Sequence, residues 1–152
     1  MNIKNNKGYF AIDASVAMII LLMVIPLIAG MIYNITKANS SMARKTEAVN
    51  IAVNSIETIK GIGVTGLNDN TTMDANIKQA LKQVYDNLDE NEMTLEKNDI
   101  TYQIVYKITD YASTEAGQSK LTTEGLVKII EVTVQYRNQK ATKEVKLETA
   151  IS

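Results

Sequence analysis

The chain contains 23 consecutive residues without a charge, from Ala14 to Thr36, and most of them are apolar. A helix rises by about 1.5 Å per residue, so a helix of this length covers the ~30 Å hydrocarbon layer of a bilayer. The segment is therefore predicted to be a transmembrane helix within residues 9–36. The residues that follow have the mixed polar and apolar composition of an ordinary soluble segment.

The residues that lead into this helix are unusual for a plain membrane anchor. They place a glycine, an aromatic pair and a single acid in the run Lys7-Gly8-Tyr9-Phe10-Ala11-Ile12-Asp13. A charge at the centre of a spanning helix costs roughly 2.5–3.5 kcal/mol, and less near its end, so Asp13 is expected to have a partner. Complementing the helix dipole is the weaker explanation, because that effect contributes only ~0.3–1 kcal/mol.

Two simpler explanations stay open for residues 1–35. A secretory signal peptide has an apolar core of about 7–15 residues and a cleavage site with small residues. Here the apolar segment is longer, an acid stands at its entrance, and the cleavage-site match at Ser41-Met42-Ala43 is weak. A plain signal anchor agrees with the length but leaves the glycine, the aromatic pair and the acid unexplained.

The run resembles the class III leader of type IV pilins, pseudopilins and their archaeal relatives. In that family a membrane peptidase cuts after the leader glycine, and the mature chain carries an acid at its fifth position. The resemblance implies that residues 1–8 are the leader, that cleavage falls between Gly8 and Tyr9, and that Asp13 is the fifth-position acid. It also implies that Asp13 sets subunit register by pairing with a Tyr9 amine, and that Pro26 kinks the helix. Cleavage would place that amine four residues before Asp13, on the same helical face.

Two departures from the family limit how finely it is named. Most bacterial pilins have Phe and Glu where this chain has Tyr9 and Asp13. These differences leave N-methylation of Tyr9 open. They also leave open whether the chain is a minor pilin, a pseudopilin or an archaeal subunit. The implied partners are other pilin subunits, the prepilin peptidase, the membrane assembly platform and, before assembly, membrane lipid. The implied location is the cytoplasmic membrane, crossed once with the C-terminal domain outside, and later an extracellular or envelope filament.

Beyond the apolar segment the helix is predicted to continue as an amphipathic helix over residues 37–60. An apolar stripe recurs there every seven residues and broadens further along the helix, so we expect the chain's own downstream domain to cover it. The members of the seven-residue series are Ile35, Met42, Val49 and Ile56. The glycines at Gly61 and Gly63 end the helix, and residues 61–152 form an α+β globular head.

The head is predicted to contain one short helix, ending near Asp89, and three to four antiparallel strands. Alternation of apolar and polar side chains marks the three main strands, whose apolar faces start at Ile100, Ile130 and Val145. A short edge strand at Met93-Thr94-Leu95 is the optional fourth. The predicted fold class is therefore α+β, a long N-terminal helix packed on a small antiparallel sheet with one additional short helix.

The chain lacks the usual residues of a catalytic or metal site. It has no cysteine and no histidine, which removes thiolate and imidazole nucleophiles, bases and metal ligands. Its acids lack the spacing and glycine of a calcium loop. We therefore expect no enzyme activity, no cofactor and no metal. A basic group near the last hairpin leaves contact with DNA as a weaker alternative to a solvated strand edge; its members are Arg137, Lys140, Lys143 and Lys146.

Together these features predict a structural subunit of a type IV pilus-like filament, processed after Gly8 and assembled through its N-terminal helix. The alternative is a bitopic membrane-anchored envelope protein whose exported domain binds a partner or ligand without polymerising. The sequence does not separate roles in adhesion, secretion and DNA uptake.

Overall fold

The structure, a computed structural model, describes residues 6–68, 72–110, 127–138 and 141–152. Two helices precede five strands in chain order: α1 (Asn6–Leu67), α2 (Met73–Val84), β1 (Leu88–Asp89), β2 (Thr94–Lys97), β3 (Ile100–Asp110), β4 (Lys128–Asn138) and β5 (Ala141–Ile151). The predicted α+β class is confirmed, with a long N-terminal helix, one short helix and an antiparallel sheet. The described sheet has five strands, one more than the upper limit of the prediction.

The chain divides into two compact units, Met1–Met42 and Ala43–Ser152, and α1 contributes residues to both. In the first unit every residue from 11 to 40 is exposed. Large apolar side chains such as Leu22 and Met23 are 66% and 67% exposed. The core helix of a soluble protein buries such side chains, whereas no residue in the most apolar part of α1 is buried. By length and composition α1 is able to cross a membrane.

In the second unit α1 presents one buried face. Its buried residues are separated by one, three or four positions, the spacing that keeps side chains on one side of a helix; they are Ala48, Ile51, Ala52, Ser55, Ile56 and Ile59. Of the predicted seven-residue series, Ile56 is buried and Val49 is half-buried, while Met42 is 68% exposed. The buried face therefore follows the 3.6-residue period of an ordinary helix, and it packs in the core of its own unit as expected.

The glycines near the end of α1 mark a real interruption. Gly63 has φ 77° and ψ 162°, a non-helical conformation inside α1. The positive φ is available to glycine without the steric cost that a Cβ adds. The helix was predicted to end at this glycine pair, but helical residues resume after Gly63 and continue to the fully buried Leu67.

The five strands follow one another in spatial order, β1-β2-β3-β4-β5, and every neighbouring pair is antiparallel. β2 and β3 are joined by Asn98 and Asp99, with φ of 52° and 58°. Two positive φ values in a two-residue hairpin loop are the signature of a type I′ turn. The predicted alternation is confirmed, since Tyr102 and Ile104 are buried on one face while their chain neighbours are exposed.

The core lies on the inner face of the sheet and is covered by the two helices. The buried strand residues on this face are Leu88, Leu95, Tyr102, Ile104, Ile130, Val132, Val134 and Tyr136. Ile77 and Leu81 of α2 join the same cluster as the buried face of α1. α2 ends at Val84 instead of the predicted Asp89, because Tyr85 adopts an extended backbone with φ −123° and ψ 94°. Leu88, which continues the helical spacing in the sequence, belongs to β1.

Candidate functional site

The predicted processing site lies at the start of α1. The helix begins at Asn6, so the Gly8–Tyr9 bond lies in a helical backbone. The first part of the predicted leader, residues 1–5, lies outside the described residues. Tyr9 and Asp13 are four residues apart and therefore occupy the same face of the helix, about one turn apart.

Asp13 is the only charged residue between residue 11 and Thr36. It is exposed, and no hydrogen bond or ion pair connects it to the side chains described in this structure. Two hydroxyl groups of the same helix differ from it, one close to Asp13 and one at the far end of the uncharged segment. Ser15 Oγ donates to the carbonyl oxygen of Ala11 at 2.8 Å, and Thr36 Oγ1 donates to that of Ile32 at 2.9 Å.

These two contacts satisfy the hydroxyls inside the helix itself, which is how polar side chains are accommodated in an apolar environment. A carboxylate cannot be stabilised in the same way, because an ionised group at membrane depth needs a cation or several hydrogen-bond donors. If residues 14–36 span a membrane, as the sequence predicts, the Asp13 carboxylate needs a partner from outside the described side chains.

Pro26 and Gly30 lie in the same exposed part of α1. Pro26 is inside the helix and removes one backbone donor, yet the residue of α1 with non-helical φ and ψ is Gly63. The kink at Pro26 stays a prediction. A Cβ added at Gly30 would meet nothing within 4 Å, so the space beside this glycine is open for an approaching helix.

In the second unit one polar cluster attaches α2 to the sheet. The Tyr106 hydroxyl donates a hydrogen bond to Asp74, and Lys78 pairs with the same carboxylate at 2.9 Å. The hydrogen bond from Tyr106 and then the lysine lower the pKa of Asp74. Burial, followed by the bond to Asp74, raises the pKa of Tyr106. The Asp74–Lys78 spacing is visible in the sequence, whereas Tyr106 follows Asp74 by 32 residues and carries no local signal.

A second ion pair holds one end of the sheet together. Lys128 Nζ lies 2.7 Å from a carboxylate oxygen of Asp110, and only 7% of the lysine side chain is exposed. The two residues are directly opposite each other at the end of the β3–β4 ladder. A buried lysine is stabilised only when its charge is paired, so this contact is a structural one between neighbouring strands.

A depression of about 520 Å³ opens near the β2–β3 turn, lined by Arg44, Asp99, Ile100, Thr101 and Arg137. Its charged groups are two guanidinium groups and one carboxylate, none of which is a nucleophile next to a general base. Among the described residues no group of three or more acids converges to form a metal site. The expected absence of catalytic, cofactor and metal chemistry stays a prediction.

Two described members of the basic group near the last hairpin, Lys143 and Lys146, do not share one face. Lys146 is paired with Glu131 at 2.7 Å, and this hydrogen bond raises the pKa of Lys146. Lys143 lies opposite Tyr136 and Lys146 lies opposite Thr133, and an odd spacing in a strand sends two side chains to opposite faces. Lys140 lies outside the described residues. The group thus offers fewer uncompensated charges than its sequence spacing suggests.

No family model matches the chain, and no curated protein or solved structure is significantly similar to it.

Proposed function

We propose that the chain is a structural subunit of a type IV pilus-like filament, a minor pilin or pseudopilin that is cleaved after Gly8 and assembled through α1. The proposal depends on the surface of one helix. Residues 11–40 of α1 are all exposed and mostly apolar. Near the start of this surface lies Asp13, which has no partner among the described side chains. Later residues of α1 cover the sheet of a compact α+β unit.

An exposed apolar helix suits a subunit that moves from lipid into a filament. Lipid tails and neighbouring apolar helices are similarly apolar, so the same side chains make favourable contacts in the bilayer and in the filament. A plain anchor would need only the contact with lipid. The carboxylate of Asp13 favours assembly into a filament over a plain anchor. It gives an otherwise uniform apolar surface one position that must be paired with a positive charge.

Cleavage after Gly8 would supply the matching group. The new α-amine of Tyr9 has an ordinary pKa of about 7.7–8.0 and is largely protonated at neutral pH. In an apolar helix bundle this amine and the carboxylate of Asp13 in a neighbouring subunit would form a buried ion pair. Sliding one helix by a turn, about 5.4 Å, would leave both charges unpaired. A single pair of this kind fixes the axial register of the subunits.

The proposal is tested by following Asp13→Ala through insertion, cleavage and assembly. Removing one partner of a buried ion pair costs about 3–5 kcal/mol, so we expect incorporation into filaments to fall by about a hundredfold or more. Insertion and cleavage should be unchanged. The matched controls are Asp13→Glu, which keeps the charge and should retain assembly, and Ser15→Ala, which removes an internally satisfied hydroxyl.

Normal incorporation of Asp13→Ala would mean that the acid only complements the helix dipole. If the unaltered chain is cleaved and stays in the membrane without polymerising under any assembly condition, the bitopic anchored protein becomes the better account.

A further inference from the structure

The last strand forms a long edge of the sheet. β5 comprises 11 residues, Ala141–Ile151, and it ends the strand order. All of its residues pair with β4 on one side. On the other side no backbone pairing to a described residue exists. An edge of this length presents a row of N–H and C=O groups that can accept another strand.

The inner face of β5 is less completely covered than that of its neighbour. Val132 and Val134 of β4 are fully buried, whereas Val145, Leu147 and Ile151 of β5 are half-buried. The three β5 residues pack against the core and stay partly exposed. A further strand beside β5 would remove more of this apolar row from water.

The charged residues of β5 alternate in sign along the strand. In chain order they are Lys143, Glu144, Lys146 and Glu148, and all are exposed. Proteins protect an edge with proline, with a bulge or with charged side chains, especially lysine. β5 contains no proline, its ladder with β4 runs without a bulge, and each of its lysines has a glutamate within two positions. These charges therefore favour the self-pairing registers that place a lysine opposite a glutamate and oppose the others.

Antiparallel pairing of two copies makes this pattern self-complementary. In-register parallel strands would place every lysine opposite a lysine, which is unfavourable. An antiparallel pair centred on Leu147 places Lys146 of each copy opposite Glu148 of the other, twice by symmetry. On the inner face the same register sets Leu147 opposite Leu147 and Val145 opposite Thr149. The other register that pairs Lys146 with a glutamate is centred on Val145 and places Lys143 opposite Leu147, two residues from the centre. The register centred on Leu147 also places Lys143 opposite an apolar residue, Ile151, but at the end of the pair, where a lysine side chain reaches water.

We propose that the outer edge of β5 docks a second copy of this chain as an antiparallel strand pair centred on Leu147. The symmetry is isologous, since the same residues of both copies form the contact. The contact requires neither cleavage after Gly8 nor a filament, because a membrane-anchored chain presents the same edge. Its test is therefore separate from that of the pilus-like function.

Cysteine cross-linking of the full-length chain in membranes measures this register directly. The natural chain has no cysteine, so each introduced thiol reports a single position. In the proposed pair the two Leu147→Cys residues are about 4.5–5.5 Å apart between Cα atoms, within the range of a disulfide. Ala141→Cys is the matched control on the same strand, because its two copies are then about 40 Å apart. We expect dimer cross-links for Leu147→Cys and none for Ala141→Cys.

A second pair of variants guards against disturbance of the core by Leu147→Cys. Chains with Val145→Cys and chains with Thr149→Cys, carrying different tags, should cross-link to each other and not to themselves. Equal cross-linking of all positions, or none at any of them, would overturn the proposal.

Charge reversal then tests what holds the pair together. Lys146→Glu alone or Glu148→Lys alone places like charges opposite each other and should reduce the Leu147→Cys cross-link by about tenfold or more. Mixing the two variant chains restores both opposite-charge pairs, so the cross-link should return between unlike chains. Glu144→Lys is the control, because its opposite residue in this register is the uncharged Ala150. Loss in Glu144→Lys, or no recovery on mixing, would contradict the proposed register.

Discussion

At the level of single residues, several charged groups of the second unit are paired across elements, whereas Asp13 has no partner among the described side chains. Asp74 joins α2 to β3 through Tyr106, and Asp110 joins β3 to β4 through Lys128. Sequence spacing reveals the local Asp74–Lys78 pair but not the partners that the sheet brings together. Asp13 stood out in the sequence for the opposite reason, because its apolar neighbours supply no cation.

The Tyr106–Asp74 contact predicts how stability depends on pH. The pKa of Asp74 is lowered from its ordinary 3.8 in the folded chain, so its contribution is fully present above about pH 4 and is lost as the pH falls through the lower folded value. The pKa of Tyr106 is raised from 10.0, so its contribution is present below pH 10 and is lost as the pH rises through the higher folded value. The contact therefore contributes fully between these limits.

Tyr106→Phe should lower the free energy of unfolding by about 1 kcal/mol at neutral pH. It should remove the high-pH part of this dependence and weaken the low-pH part, because Lys78 still lowers the pKa of Asp74. Urea unfolding of the full chain in detergent, followed by circular dichroism across the pH range, measures the effect. Tyr33→Phe makes the same chemical change at a side chain that is 68% exposed and should change stability by less than about 0.5 kcal/mol. An unchanged pH profile in Tyr106→Phe would show that the contact contributes nothing to folding.

At the level of elements, periodicity predicted most of the fold, because burial imposes it. The strand alternation in β3, β4 and β5 and the helical period of α1 both follow from one face meeting the core. Periodicity gave a wrong helix end where the same apolar residue fitted both a helix and a strand. Leu88 continues the four-residue spacing from Leu81 and Val84 closely enough to extend α2, yet it lies in β1. Nothing in that spacing shows where the backbone leaves the helix, which is at Tyr85.

The buried face of α1 should carry much of the stability of the second unit. Ile59 is fully buried in the core, so Ile59→Ala is expected to cost about 2–5 kcal/mol through lost burial and the cavity that remains. Val53 lies on the same helix and is 39% exposed, so Val53→Ala should cost less than about 1 kcal/mol. Thermal unfolding of both variants compares the two faces directly. Equal losses would contradict the assignment of this face to the core.

At the level of the whole molecule, the chain combines two units with different surfaces. The first unit exposes an apolar helix, and the second buries an ordinary core beneath a five-stranded sheet. In the sequence, the uncharged stretch from Ala14 to Thr36 is followed by a segment of mixed composition. The proposed role of the first unit depends on the short run around Gly8, whose residues resemble a pilin leader. The structure shows, in addition, that the helix after this run is exposed.

The most direct test of this account is the N-terminus of the chain purified from membranes, determined by sequencing or mass spectrometry. The pilus-like subunit predicts a mature chain that begins at Tyr9, and it predicts that a bulky Gly8→Leu substitution prevents the cut while Gly30→Ala, at a glycine with open space around it, leaves it unchanged. A mature chain that begins at Met1 would contradict the account, and one that begins at Arg44 would identify a secreted domain released from a signal peptide.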